Sequence, residues 1–102
     1  MNQERLSTLN KLVAMDADDT FSRYALGLEY RDSEPRTALE HLSEVVKRDA
    51  NYVPAYFQSG LIHSEMGDYR AAQEWLERGM VIARKVGDSH ALGEMQEALD
   101  QL

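Results

Sequence analysis

The sequence predicts an all-α chain of about six helices, arranged as antiparallel helix hairpins. Three observations point there. Apolar residues recur three or four positions apart almost throughout, the spacing of one face of a helix. No segment alternates apolar and polar residues over strand length, and β-branched residues are sparse. The chain also repeats itself: "TFSRYALGLEYRDSEPRTALEHLSEVVKRDANY" (20–52) lies over "VPAYFQSGLIHSEMGDYRAAQEWLERGMVIARKV" (53–86).

The elements follow in order. Leu6, Leu9 and Leu12/Val13 form a first stripe, over about 4–15, that ends at "DADD" (16–19). A second segment, roughly 20–32, holds Phe21, Tyr24, Ala25, Leu28 and Tyr30 and is apolar on more than one side. "SEP" (33–35) breaks it, and Pro35 suits the first turn of the next helix, where its missing N–H costs nothing. That helix carries Ala38, Leu42, Val45 and Val46 and stops near "RDAN". Pro54 opens a fourth, about 53–66, through Phe57, Leu61 and Ile62. "GD" (67–68) is a tight break: the glycine takes the left-handed conformation that ends one helix and the aspartate caps the next. The fifth, about 69–86, uses Ala72, Trp75/Leu76, Gly79/Met80 and Ala83. A second "GD" (87–88) starts the last, with Leu92, Met95, Leu99 and Leu102.

The repeat is specific in its register. Tyr24 meets Phe57, Gly27 meets Gly60, Leu28 meets Leu61 and Tyr30 meets His63, all at one constant separation. In the second helices Ala38 meets Ala72, Leu42 meets Leu76 and Val45 meets Gly79, again at a constant separation, longer by a single position. The extra position falls in the turn, where a repeat tolerates it. Glycine inside a helix costs about 1 kcal/mol relative to alanine, so Gly60 and Gly79 need a reason. Small residues at the crossing of two helices let the backbones approach, and closer packing along the interface offsets the local cost.

This pattern resembles the tetratricopeptide repeat, whose helix pairs recur about every 34 residues. The match is good in 53–86: Tyr56 and Phe57, Gly60, "GDY" at the turn, Ala72, Leu76 and Gly79. The unit at 20–52 keeps Tyr24, "LG" (26–27), Tyr30 and "AL" (38–39) but lacks the Gly-Asp turn. Residues 1–19 resemble the second helix of a preceding unit with its Asp-rich linker, and 87–102 a terminal capping helix. The resemblance covers nearly the whole chain. It implies one domain over 1–102, folded as a right-handed superhelical array with two full repeats at 20–52 and 53–86. Gly27, Ala38, Gly60, Ala72 and Gly79 would be its helix-packing positions.

Composition narrows the function. The 102 residues carry 18 acidic against 11 basic side chains, a formal net charge of −7. That surface repels a phosphate backbone and no Lys/Arg cluster offsets it, so nucleic-acid binding is not expected. Cysteine is absent, which removes disulfides, thiolate metal sites and cysteine nucleophiles. The N-terminus lacks the apolar run of a signal peptide and nothing approaches a membrane span, so a cytoplasmic protein is expected. His41, His63 and His90 have no partners at metal-ligand spacing; His63 replaces Tyr30 in the repeat and reads as a packed ring. Phosphate-binding loops, nucleophile elbows and paired carboxylates across a cleft are all missing, so neither enzymatic activity nor a cofactor is expected.

What remains is a protein or peptide partner. Arrays of this kind curve, and the first helix of each pair lines the concave side. Tyr24, Leu28 and Arg31 share one helix face, and Phe57, Leu61, Ser64 and Glu65 share the next; together they form the candidate groove. Tyr24 and Phe57 either line that groove or pack against the helices before them. Relatives that grip a chaperone's C-terminal carboxylate carry Lys, Arg and Asn on this face; here stand Tyr24, Leu28, Phe57 and Leu61, with Ala25 and Gln58 beside them, so that role is not supported. Trp75 either covers the edge of the core or stands as a contact anchor, the former preferred. The main reading is an interaction module that holds a peptide or helix. The second is a structural subunit that self-associates through its terminal helices, 4–15 and 89–102.

Overall fold

A computed structural model describes residues 1–102. It contains six helices and no strand: α1 (Gln3–Met15), α2 (Thr20–Tyr30), α3 (Pro35–Arg48), α4 (Val53–Glu65), α5 (Tyr69–Val86) and α6 (Ser89–Asp100). They form two compact units, Met1–Asp49 and Ala50–Leu102.

In the first unit α2 packs on α3 as a hairpin and α1 packs on α2. Local chemistry sets the ends. The side chain of Asn2 accepts from the Arg5 N–H, and that of Asp19 from the Ser22 N–H, each satisfying a helix donor that has no partner in the helix itself. Glu34, just before Pro35, sits outside the helical region at φ −140°, ψ 72°, so no helix runs through it into α3; α2 ends at Tyr30. Leu9, Leu26, Ala38, Leu42 and Val45 are buried in this unit. At Gly27 a Cβ would stand 3.3 Å from His41 Cβ and 3.4 Å from Leu42 Cδ2, so α2 and α3 touch there with no room to spare.

The second unit is the hairpin α4–α5 with α6 laid against both. Val53, Leu76, Met80, Ala83 and Met95 form its core, flanked by Phe57, Ile82, Ala91, Leu92, Ala98 and Leu99. Gly67 and Gly87 have φ of +81° and +78°, a backbone that L side chains resist; the aspartate after each accepts the N–H of Ala71 or Ala91 and starts α5 or α6. A Cβ on Gly60 would meet Leu76 Cδ2 at 2.6 Å, and one on Gly79 would meet Tyr56 Cβ at 2.7 Å. Tyr56 is buried, and its hydroxyl donates to the Ala50 carbonyl at 2.7 Å.

Two apolar positions differ from the expectation. Leu102 lies beyond α6, which ends at Asp100, and is exposed. Phe21, read as part of an apolar face, is 70% exposed; it sits in the first turn of α2, on the side away from the hairpin contact.

Candidate partner-binding surfaces

Each unit presents its own recess. In the first, Met1, Asn2, Arg5, Leu28, Glu29, Asp32 and Ser33 line about 400 Å³. Glu29 organises it. Its carboxylate accepts the Asn2 N–H at 2.9 Å and an Arg5 guanidinium N–H at 3.1 Å, which ties the start of α1 to the end of α2. Those two donors, the Asn2 N–H first, hold the Glu29 carboxyl below its ordinary value. Tyr24 on α2 and Arg31, the residue that follows the helix, grouped with Leu28 by helical spacing, are half-buried.

In the second unit Phe57, Leu61, Glu94, Glu97, Ala98 and Gln101 line an open groove of about 260 Å³ between α4 and α6. Its floor is apolar and its α6 rim carries two carboxylates and an amide, with no cation. Phe57 packs against the core that α4 shares with α5 and α6, rather than against the helices before it, and also lines this groove. Leu61 is half-buried in the groove wall. Ser64 and Glu65 belong to the last turn of α4, beyond the residues that line it. Helical spacing within α2 and α4 does not reach the α6 side. A signal for it exists, since Glu94 follows Leu61 by the same separation at which Leu61 follows Leu28.

The other singled-out side chains have structural roles. Trp75 tilts against Tyr56, ring centroids 5.8 Å apart, with the Arg78 guanidinium 4.4 Å above the indole, a cation–π cover at the edge of the core. His41 stacks on Tyr30 at 5.6 Å; its burial, and secondarily the nearby Arg23 charge, pushes its pKa down. His63 is half-buried, its Nδ1 3.7 Å from an Asp68 oxygen, and His90 is exposed beside Glu94. No group of three or more His, Asp or Glu side chains is placed to hold a metal ion. No helix is long and apolar enough to cross a membrane.

No protein-family model matches the chain, and no curated protein is significantly similar to it. Solved structures are. A crystal structure of a tetratricopeptide repeat domain protein from Salinibacter ruber is 30% identical, with a TM-score of 0.74 over 81% of this chain and 93% of that one. The chain belongs to the tetratricopeptide repeat family. A solution structure of a tetratricopeptide repeat domain protein from the same organism, also 30% identical, gives a TM-score of 0.78 over 84% and 88%. A Bordetella parapertussis protein, 28% identical, superposes with a TM-score of 0.82 over 94% and 84%. The tetratricopeptide repeat accounts for the hairpins α2–α3 and α4–α5 and for the small residues where their helices cross.

Proposed function

We propose that this protein is an interaction module that holds a segment of a protein partner, with the α4–α6 groove of the second unit as its principal contact. The observation that carries this reading is the chemistry of that groove. Phe57, Leu61 and Ala98 offer an apolar floor, and Glu94 and Glu97 offer negative charge at one rim. An apolar anchor residue followed by Lys or Arg matches both, with the apolar contact supplying affinity and the carboxylates supplying orientation and on-rate. The face of Tyr24 and Leu28 on α2, with Arg31 at its C-terminal end, is proposed as a further contact. The net charge of −7 favours the same class of partner, a basic segment. The role proposed is binding, with no chemical step.

Leu61→Arg tests it. Leu61 is outside the core of the unit, so the variant is expected to fold with an unchanged helical spectrum while the groove gains charge and bulk. Proteins captured from the native host by the wild type and lost with Leu61→Arg support the reading. An identical set captured by both overturns it.

A further inference from the structure

The repeat supplies an internal comparison. In the second unit Tyr56, in the first turn of α4, and Arg78, Val81 and Ile82, on the latter half of α5, line a recess of about 220 Å³. One repeat earlier the same positions hold Arg23, Glu44, Lys47 and Arg48. There every side chain is charged, and Arg48 bonds Glu44 at 2.7 Å and Asp18 at 2.9 Å. The hairpin itself therefore does not require an apolar surface at this place. The second hairpin has one, and Val81 is 61% exposed on it. Lys47 and Arg48 are exposed although a further hairpin follows them in the chain, so these positions stay open where the repeat continues.

Arg78 is the one cation of the recess, and aromatic rings hold its guanidinium in place. It stands 4.4 Å from the centre of the Trp75 ring and 5.5 Å from that of Tyr56, and Trp75 in turn tilts against Tyr56. No carboxylate pairs with it. Glu74, one turn earlier, forms no bond to it, and Glu77 accepts from Gln73 at 2.7 Å. A guanidinium stacked over an indole keeps its N–H donors directed outward in the plane, already oriented for the two oxygens of a carboxylate. Binding then immobilises less than it would with a freely rotating arginine.

We propose that this recess is a second docking site, and that its occupant is a partner segment in which an aspartate or glutamate adjoins a large apolar residue. The carboxylate pairs with the Arg78 guanidinium, and the apolar side chain lies against Tyr56, Val81 and Ile82. The volume suits a side chain, being below the ~300–1,000 Å³ of sites that enclose a drug-sized molecule. The charge preference is the reverse of that of the α4–α6 groove, whose rim carries Glu94 and Glu97. One molecule can therefore hold a basic and an acidic segment on different faces. The second site stands whether or not the groove binds a partner.

Selection from a random library of tryptophan-free linear peptides tests it, with wild-type protein as bait and every peptide that also binds Arg78→Gln removed. The survivors are expected to carry Asp or Glu beside Leu, Ile, Met or Phe. Trp75 is the only tryptophan of the chain, so a synthetic survivor should change the intrinsic fluorescence as it binds. Val81→Glu replaces an exposed side chain and is expected to keep the helical spectrum while weakening that peptide by about tenfold or more. Leu61→Arg is expected to bind it as tightly as wild type, which separates this site from the groove. A selection with no survivors, survivors without the acidic-apolar pair, or a survivor that leaves Trp75 fluorescence unchanged or binds Val81→Glu undiminished overturns the proposal.

Discussion

Gly60 on α4 lies directly beneath Leu76 on α5: a Cβ on the glycine would stand 2.6 Å from Leu76 Cδ2 and 2.7 Å from its Cγ. Leu76 is 1% exposed and belongs to the core of the unit. Gly60→Ala therefore exchanges a helix-propensity gain of about 1 kcal/mol for overpacking worth about 1–3 kcal/mol. A net loss of about 1–2 kcal/mol is expected from denaturant unfolding. Gly27→Ala is expected to cost less, because its neighbours stand 3.3 Å or more away.

Gly93→Ala is expected to act in the opposite direction. The site is in mid-helix with open space around it, so only the propensity difference remains. The variant should be more stable than wild type by about 0.5–1 kcal/mol. A destabilised Gly93→Ala would mean that the glycine already meets a neighbour.

His41 gives the first hairpin a pH dependence. Burial against Tyr30, reinforced by the Arg23 charge, favours the neutral ring and lowers its pKa in the folded state, while Glu40 opposes this weakly. The folded protein therefore binds fewer protons than the unfolded chain below the ordinary value of 6.5. Stability is full above that pH and declines as pH falls from it toward the lower folded value. Thermal melts across this range should show the decline in wild type and a smaller one in His41→Phe, which keeps the stacked ring without the titration.

Glu29 acts at lower pH. Its carboxyl is held below the ordinary value of 4.5 by the Asn2 N–H and Arg5. Its contribution is present above 4.5 and is lost as pH falls through the folded value. Amide protection in α1, measured against the intrinsic exchange rate at each pH, should fall on acidification before protection in α3 does. Glu29→Gln should bring the faster α1 exchange to neutral pH.

Arg48 and Tyr56 illustrate how far local sequence reaches. Every helix can be placed from spacing, prolines and the two Gly-Asp pairs, because those signals act within a few positions of themselves. The left-handed glycines and the aspartate caps follow from backbone sterics and one hydrogen bond each. Arg48, by contrast, bonds the distant Asp18 at 2.9 Å as well as Glu44 at 2.7 Å one turn away. Only the nearer partner is legible from spacing. Tyr56 reads from the sequence as one of an aromatic pair with Phe57, and nothing near it announces that its hydroxyl reaches the Ala50 carbonyl from a buried ring.

Helix count, the hairpin repeat and the glycines at the crossings can all be read without coordinates, since a repeat period and a helical stripe are properties of order along a chain. Which faces remain open is a matter of packing. Phe57 is both core and groove because α6 lies beside it, and the acidic rim of Glu94 and Glu97 exists only through that contact. Gly93 belongs to the period like Gly27 and Gly60, yet nothing in the order of residues says that a Cβ there would meet no neighbour within 4 Å. Exposure depends on which helices arrive from elsewhere in the fold, and order along the chain does not record that.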